Sequence, residues 1–431
     1  MHTAVQYIDT AMVGSLGTDA TAAVGSTGNF GWMIISSFSA LGVGFLAQIA
    51  KACGAGEEDY AKRIVAQAMM LVLAVGSFTT VVCSVISPYV PVWMQVDPSI
   101  QKMAATYFFI IYLPMLPRTA SMIFGTILRA VGDTKTPMKV GIIVNCINIV
   151  LNFLLIYPSR TIRLLGGTFM IPGANLGVIG AAVASAIAFT WGGIHVSAVL
   201  WRHPQVSPKG LSLKPDLEIM KPCIRIAFPN MLQRFGNSLG FVFFSAMVNT
   251  LGPVATATHT IANTVESAFY IPGYGMETAA STLAGHAYGA RDNRRMKEQA
   301  AMFIPMVLVL MILSGGLLFA LAPGLMNIFS DNPEVIRLGS KVLRMVACSE
   351  PFYGFYIIVE GLMLGVGKTK TSFAYNITGM WLIRVAGTFV CTQILGLGLV
   401  SVWSCMIAHN LFLFGLYLIA YVRKTWNPLE Y

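Results

Sequence analysis

The sequence predicts an all-α polytopic membrane protein, with twelve transmembrane helices in two six-helix lobes related by a parallel internal repeat. Three observations predict it. Of 431 residues, 56% are hydrophobic and only 11% charged, with a mean hydropathy of +0.70, whereas soluble domains carry about 25% charge. Uncharged apolar runs near the roughly 20 residues that span a bilayer follow one another along the chain. The same short motifs also recur at one fixed offset. The alternating ten-residue segments of a transmembrane β-barrel are absent.

Apolar runs between charged or Gly/Pro-rich breaks place the helices in order. The first, 1–16, is short: Ala4–Leu16 cannot span a bilayer, and its repeat partner begins near Arg225, so the expectation is a truncated helix with residues missing upstream. Helix 28–52 ends at Lys51 and the turn ACGAG; 64–90 follows the charged loop GEEDYAKR. Helix 102–128 begins at Lys102, is followed by Arg129 and contains Pro114 and Pro117. Helix 138–158 follows GDTKTP, and 176–201 closes the first half. The stretch 202–221 is the one long polar connector, a linker between an N-lobe (1–201) and a C-lobe (222–431). Helices 222–250, 257–288 and 299–322 contain Pro229, Pro272 and Pro305. Helices 335–365, 371–395 and 399–422 complete the chain, the last ending at Arg423 and Lys424.

The repeat is explicit. AMVGSLGTDATA (11–22) matches AMVNTLGPVATA (246–257) at an offset of 235. The same offset pairs Gly54-Ala55 with Gly289-Ala290, Pro98 with Pro333, and Gly132-Asp133-Thr134-Lys135-Thr136 with Gly367-Lys368-Thr369-Lys370-Thr371. Six helices per half put both halves in one orientation, related by an axis along the membrane normal. Of 28 basic residues, 19 fall in the linker, the C-terminus and the connectors after even-numbered helices, and five on the opposite side. That bias predicts cytoplasmic termini and a cytoplasmic linker. The net charge of +10 therefore reads as topology and not as a nucleic-acid partner.

Ionisable residues inside membrane helices are costly, about 2.5–3.5 kcal/mol at a helix centre, and are functional candidates by default. The acidic ones are Asp9, Glu266, Glu277, Glu350 and Glu360. Asp9 reads as a cation or proton site facing the bundle, or as a helix-end carboxylate reaching water. Glu266 and Glu360 are candidates for a secondary acidic site, or for pairing with an embedded arginine such as Arg234 or Arg344. Asn145, Asn148 and Asn152 are spaced by three and four, so they share one helical face. In lipid such a face must point inward, either to hydrogen-bond a neighbouring helix or to ligate an ion. The seven cysteines form no CxxC pair and read as free, buried thiols with no structural metal. Phosphate-loop, GxSxG and HExxH motifs are missing, which argues against an enzyme and against ATP-driven transport by this chain alone.

The doubled AMVGSLG-type motif, the Gly-Ala turn after the second helix of each half (ACGAG and AYGAR) and LRAVGDTKTP after the fourth together resemble the multidrug and toxic compound extrusion family of antiporters. The resemblance covers nearly the whole chain. It implies export of organic, often cationic compounds in exchange for H⁺ or Na⁺, with no cofactor beyond that ion. It also implies a cation-coupling site in the N-lobe: Asp9 in its D-x-x-x-V-G context, Asn148 and Asn152 on the fifth helix, and Ser185 on the sixth, with Na⁺ as a ligand option at Asp9. Two departures stand out. The acidic position of the fifth helix is Asn152, and the C-lobe positions that carry acids in another branch fall near Asn237 and Tyr353.

The expected partners are small organic substrates and the lipid bilayer, with no nucleic acid, and the chain is expected to act as a monomer in a plasma membrane, a bacterial inner membrane. Competing readings are a lipid-linked-precursor flippase of a related superfamily, which would carry a more basic cavity, and a non-transporting receptor or scaffold. The latter leaves the repeat and the intramembrane acid unexplained.

Overall fold

A computed structural model describes residues 12–14, 16–94, 96–164 and 167–430. Asp9 and most of the expected first helix lie outside the described residues. The chain forms two compact helical units, one of residues up to Phe45 with Glu58–Lys221, the other of Leu46–Glu57 with Pro222 onward.

In the first unit α1 (Thr18–Gly54) is followed by α2 (Glu58–Ile86), the short α3 (Val90–Trp93), α4 (Gln101–Tyr112) and α5 (Met115–Ala130). The last two form one span bent by 48° at Pro114. A proline has no N–H for the carbonyl one turn back, and its ring crowds that carbonyl. After α6 (Lys135–Leu155) an antiparallel hairpin pairs β1 (Pro158–Leu164) with β2 (Gly167–Ala174). Helix α7 (Gly177–Arg202) then packs on α4, α5 and α6. Its buried face is Gly180, Ala181, Ala184, Ser185, Ala188 and Gly192, small residues that let helices approach closely in a membrane. The linker is held to the start of α2. The Gln67 side-chain amide donates to the Lys214 carbonyl at 2.9 Å and accepts from the Asp216 N–H at 2.9 Å, and Arg63 pairs with Asp216 at 3.0 Å.

The second unit contains α8 (Leu217–Asn249, entering it at Pro222), α9 (Pro253–Gly289), α10 (Asn293–Phe329), α11 (Pro333–Ala347) and α12 (Glu350–Gly365). Asp292 caps α10 by accepting the Arg295 N–H at 2.9 Å, and Asn332 caps α11 by accepting the Glu334 N–H at 2.9 Å, with Pro333 pre-set for the first turn. Helix α13 (Thr369–Ile394) contains two wide π-helical stretches, Gly379–Val385 and Val390–Ile394. Helix α14 (Leu399–Val422) ends the unit and packs on α12.

The repeat is written into the geometry. Helix ends at 18 and 253, 54 and 289, 58 and 293, 112 and 347, and 130 and 365 all keep the offset of 235. Helices α11 and α12 form a second span bent by 49°, at the repeat equivalent of Pro114. A close crossing follows the same register. A Cβ on Gly54 would stand 2.0 Å from the His286 carbonyl oxygen, and one on Gly289 would stand 1.9 Å from that of Lys51. Each contact is the other with repeat equivalents exchanged, as at a two-fold contact.

Eleven of the twelve expected helices have a counterpart among the described residues, and the fold is the all-α two-lobed architecture expected. Helices α8 and α9 fail the simple test of length and apolarity that nine spans pass, counting each bent pair once. They carry Arg225, Arg234, Glu266 and Glu277. One local expectation changes. Helix α1 begins at Thr18 rather than 28, because the Gly25–Gly28 stretch continues the helix at about 1 kcal/mol per glycine. The hairpin occupies the stretch between helices 138–158 and 176–201, where its short β-branched run is flanked by longer helical signals.

Of the seven free cysteines, only Cys83 and Cys223 are buried; Cys146 and Cys348 are exposed and the rest lie between. The expectation of buried thiols is corrected: an apolar helix in a membrane also has an outward face, and apolar sequence does not distinguish the two.

Candidate functional site

In the first unit α6 and α7 lie side by side, and the turn-spaced Asn148 and Asn152 face the small-residue side of α7. Asn148, Asn152 and Ser185 are all 0% exposed. The Asn152 amide donates to Asn148 Oδ1 at 3.2 Å, and the Asn148 amide donates to Ser185 Oγ at 2.8 Å. Asn145, one turn earlier, is outside this chain of bonds, and its Oδ1 has no partner among the described residues. The described part of the expected first helix reaches the same region. Tyr157 at the end of α6 donates its hydroxyl proton to the Met12 carbonyl at 3.0 Å. Val13 packs with Ile156, Val178, Ala181 and Ala182. The structure thus joins Asn148, Asn152 and Ser185 of the four N-lobe candidates; Asp9 lies outside the described residues. Buried amide and hydroxyl oxygens are hard, neutral donors. They suit a small cation or hydrogen bonds to a carboxyl group.

The second unit has a polar interior of its own. Glu360 on α12 is 5% exposed, and its Oε1 accepts from Gln233 Nε2 at 2.8 Å, Ser372 Oγ at 2.7 Å and Asn376 Nδ2 at 3.0 Å. Asn376 also donates to Tyr417 Oη at 3.0 Å. Side chains of three helices, α8, α12 and α13, therefore meet at one carboxylate oxygen, and Tyr417 of α14 joins them through Asn376. Glu266 lies elsewhere, 6% exposed on α9, and the cation acting on it is Arg384. The Arg384 guanidinium stands 4.3 Å from the Phe244 ring centroid and 5.8 Å from that of Phe241.

The two arginines offered as possible partners differ. Arg344 is exposed, with its guanidinium 5.5 Å over Phe319, and serves neither acid. Arg234 acts on Glu277 and Glu360, but none of the ion pairs within 4.0 Å among the described residues includes an intramembrane acid. The hydrogen bonds that Glu360 accepts come from Gln233, Ser372 and Asn376, and Glu266 takes no part in them. Tyr353 packs among Tyr270, Tyr274 and Tyr356.

Sequence reasoning missed Gln233, Ser372, Asn376, Tyr417 and the role of Arg384. The i, i+4 spacing of Ser372 and Asn376 is the same signal that singled out Asn148 and Asn152, and it would have found that pair. Nothing local marks the remaining three.

Comparison with known proteins bears on the whole fold. The sequence model of the MatE family matches residues 1–154 and 229–390. The chain is 26% identical over 420 residues to the probable multidrug resistance protein NorM of Thermotoga maritima, covering 97% of this chain and 88% of that one. It is 25% identical over 426 residues to the probable multidrug resistance protein YoeA of Bacillus subtilis, covering 96% and 89%. Its fold is similar to that of a MOP superfamily transporter from Pyrococcus furiosus, with a TM-score of 0.89 at 22% identity over 100% of this chain and 93% of that one. With the family match spanning most of its length and a two-lobed helical fold in register with its repeat, the chain belongs to the MatE family of multidrug efflux transporters.

Proposed function

We propose that the chain is a secondary active transporter that exports organic, cationic compounds in exchange for H⁺ or Na⁺ by alternating access. It works from a plasma membrane, the inner membrane of a bacterium, with both termini cytoplasmic. The observation that carries the reading is the fully buried chain of hydrogen bonds Asn152–Asn148–Ser185. A lipid-facing amide would be left unsatisfied, and this one is organised on the two helices that the family resemblance assigns to ion coupling.

Asp9 precedes Met12 by three residues in the sequence, and Met12 is held by Tyr157 at the end of α6. That supports Asp9 as the coupling carboxylate, with Asn148, Asn152 and Ser185 as its neutral companions. Binding H⁺ or Na⁺ neutralises the acid, and substrate leaves if the neutral site favours another helix packing. A membrane potential of 100 mV supplies about 2.3 kcal/mol per charge moved.

The test is efflux of a fluorescent organic cation from proteoliposomes, under an imposed pH gradient or an imposed sodium gradient. Wild-type protein should respond to one gradient, and Asp9→Asn should insert normally yet lose that response. Undiminished gradient-driven efflux by Asp9→Asn would overturn the assignment.

A further inference from the structure

The two copies of the repeat begin the helix after the bent span differently. In the first copy Gly132 takes a left-handed φ of +86°, and Asp133 Oδ1 accepts the Thr136 N–H at 3.0 Å. The negative carboxylate thus caps the positive N-terminus of α6. In the second copy the turn is conserved, Gly367 having φ +81°. The residue standing where Asp133 stands is Lys368, the N-cap of α13, whose ammonium group has no acceptor for a helix N–H. The charge at this helix start is inverted, and its first N–H groups have no intrahelical acceptor.

A cavity of about 580 Å³ opens on this helix start. It is lined by Arg225 of α8, Lys368, Lys370, Thr369 and Thr371 of the turn and first residues of α13, and Thr425 beyond α14. Every charge among its lining residues is positive. Lys368 is oriented by donating to the Thr425 carbonyl. Thr369 is 1% exposed, and its hydroxyl oxygen is buried with no hydrogen-bond partner. A buried hydroxyl without a partner costs about 1–3 kcal/mol, so it points to a ligand that completes it.

We propose that this cavity binds a phosphate group, which takes the place that the Asp133 carboxylate fills in the first copy. Its donors are the first amides of α13, the Thr369 hydroxyl, and the side chains of Arg225, Lys368 and Lys370. A tetrahedral anion at a helix N-terminus meets amide N–H groups and the helix dipole together. The phosphate arrives either free or as the headgroup of an anionic lipid. Bound there, it ties α8 to the start of α13.

The test uses the full chain purified in a neutral detergent, with the thermal unfolding midpoint as readout. Inorganic phosphate is titrated against chloride at matched ionic strength, and phosphatidic acid is titrated against phosphatidylcholine in mixed micelles. A midpoint raised by several degrees in the phosphate arm assigns a free anion. A rise confined to phosphatidic acid assigns a lipid headgroup.

Lys368→Asp restores within the chain the cap of the first copy. It should fold with an unperturbed midpoint and lose the response. Thr369→Val, which keeps the volume and removes the hydroxyl, should weaken binding about tenfold, as for one hydrogen bond to a charged group. Two results overturn the proposal: no shift of the wild type in either arm, or a Lys368→Asp response equal to that of the wild type.

Discussion

Replacing Glu360 tests whether it is a structural hub of the second unit. Its Oε1 accepts three hydrogen bonds of 2.7–3.0 Å from Ser372, Gln233 and Asn376, residues 0–6% exposed. Glu360→Leu is close in volume but leaves three donors without an acceptor. Interhelical hydrogen bonds in membranes contribute about 0.6 kcal/mol each and at most about 1.7. Three of them set the expected loss at about 2–5 kcal/mol. Glu360→Gln keeps an oxygen at the same place, so it should cost no more than about 1 kcal/mol on the same scale. Unfolding in mixed micelles, followed by tryptophan fluorescence, orders the three proteins. Glu360→Gln should also retain ion-driven efflux, since the coupling acid proposed is Asp9. A Leu variant as stable as the Gln variant would refute the hub, and loss of coupling in a stably folded Glu360→Gln would move the coupling site to this unit.

The remaining predictions concern packing, pH and topology. Gly289→Ala places a methyl group 1.9 Å from the Lys51 carbonyl oxygen, backbone that cannot rotate away; the overpacking should cost about 1–3 kcal/mol. Gly275→Ala, with nothing within 4 Å, should be neutral or stabilising by up to about 1 kcal/mol, and equal midpoints for the two variants would contradict the close crossing. For Asp133, burial acts to raise the carboxyl pKa, but hydrogen bonds from Thr136 and the charge of His203 hold it below the usual value. Its stabilisation is thus present at neutral pH and lost as pH falls through the lowered native value. Asp133→Asn should flatten the acid side of the midpoint-versus-pH curve, and an unchanged curve would contradict the cap. Cysteine placed at Ser207 in a cysteine-free background should resist an impermeant reagent in intact cells and react in inverted vesicles; labelling from outside reverses the topology.

What the sequence determined by itself is everything that depends on residues near one another in the chain. Apolar runs of bilayer length require helices, because no other single segment satisfies its own backbone in lipid. The offset of 235 required the two halves to bend alike, and they do, although only the first bend has a proline at the position itself. A helix turns by 3.6 residues, so four residues between Asn148 and Asn152 already put both amides on one face. What that face meets is a different kind of fact. Rotation and crossing of neighbouring helices decide it, through the sum of many small packing terms. Tertiary structure alone therefore gathered Gln233, Ser372, Asn376 and Tyr417 around Glu360. It also seated Arg384 over Phe244 instead of bringing Arg344 to an acid. The Thr369 cavity illustrates both levels. The exchange of Asp133 for Lys368 is plain in the repeat, but Arg225 and Thr425 come from other helices, and no spacing along the chain measures the distance between them.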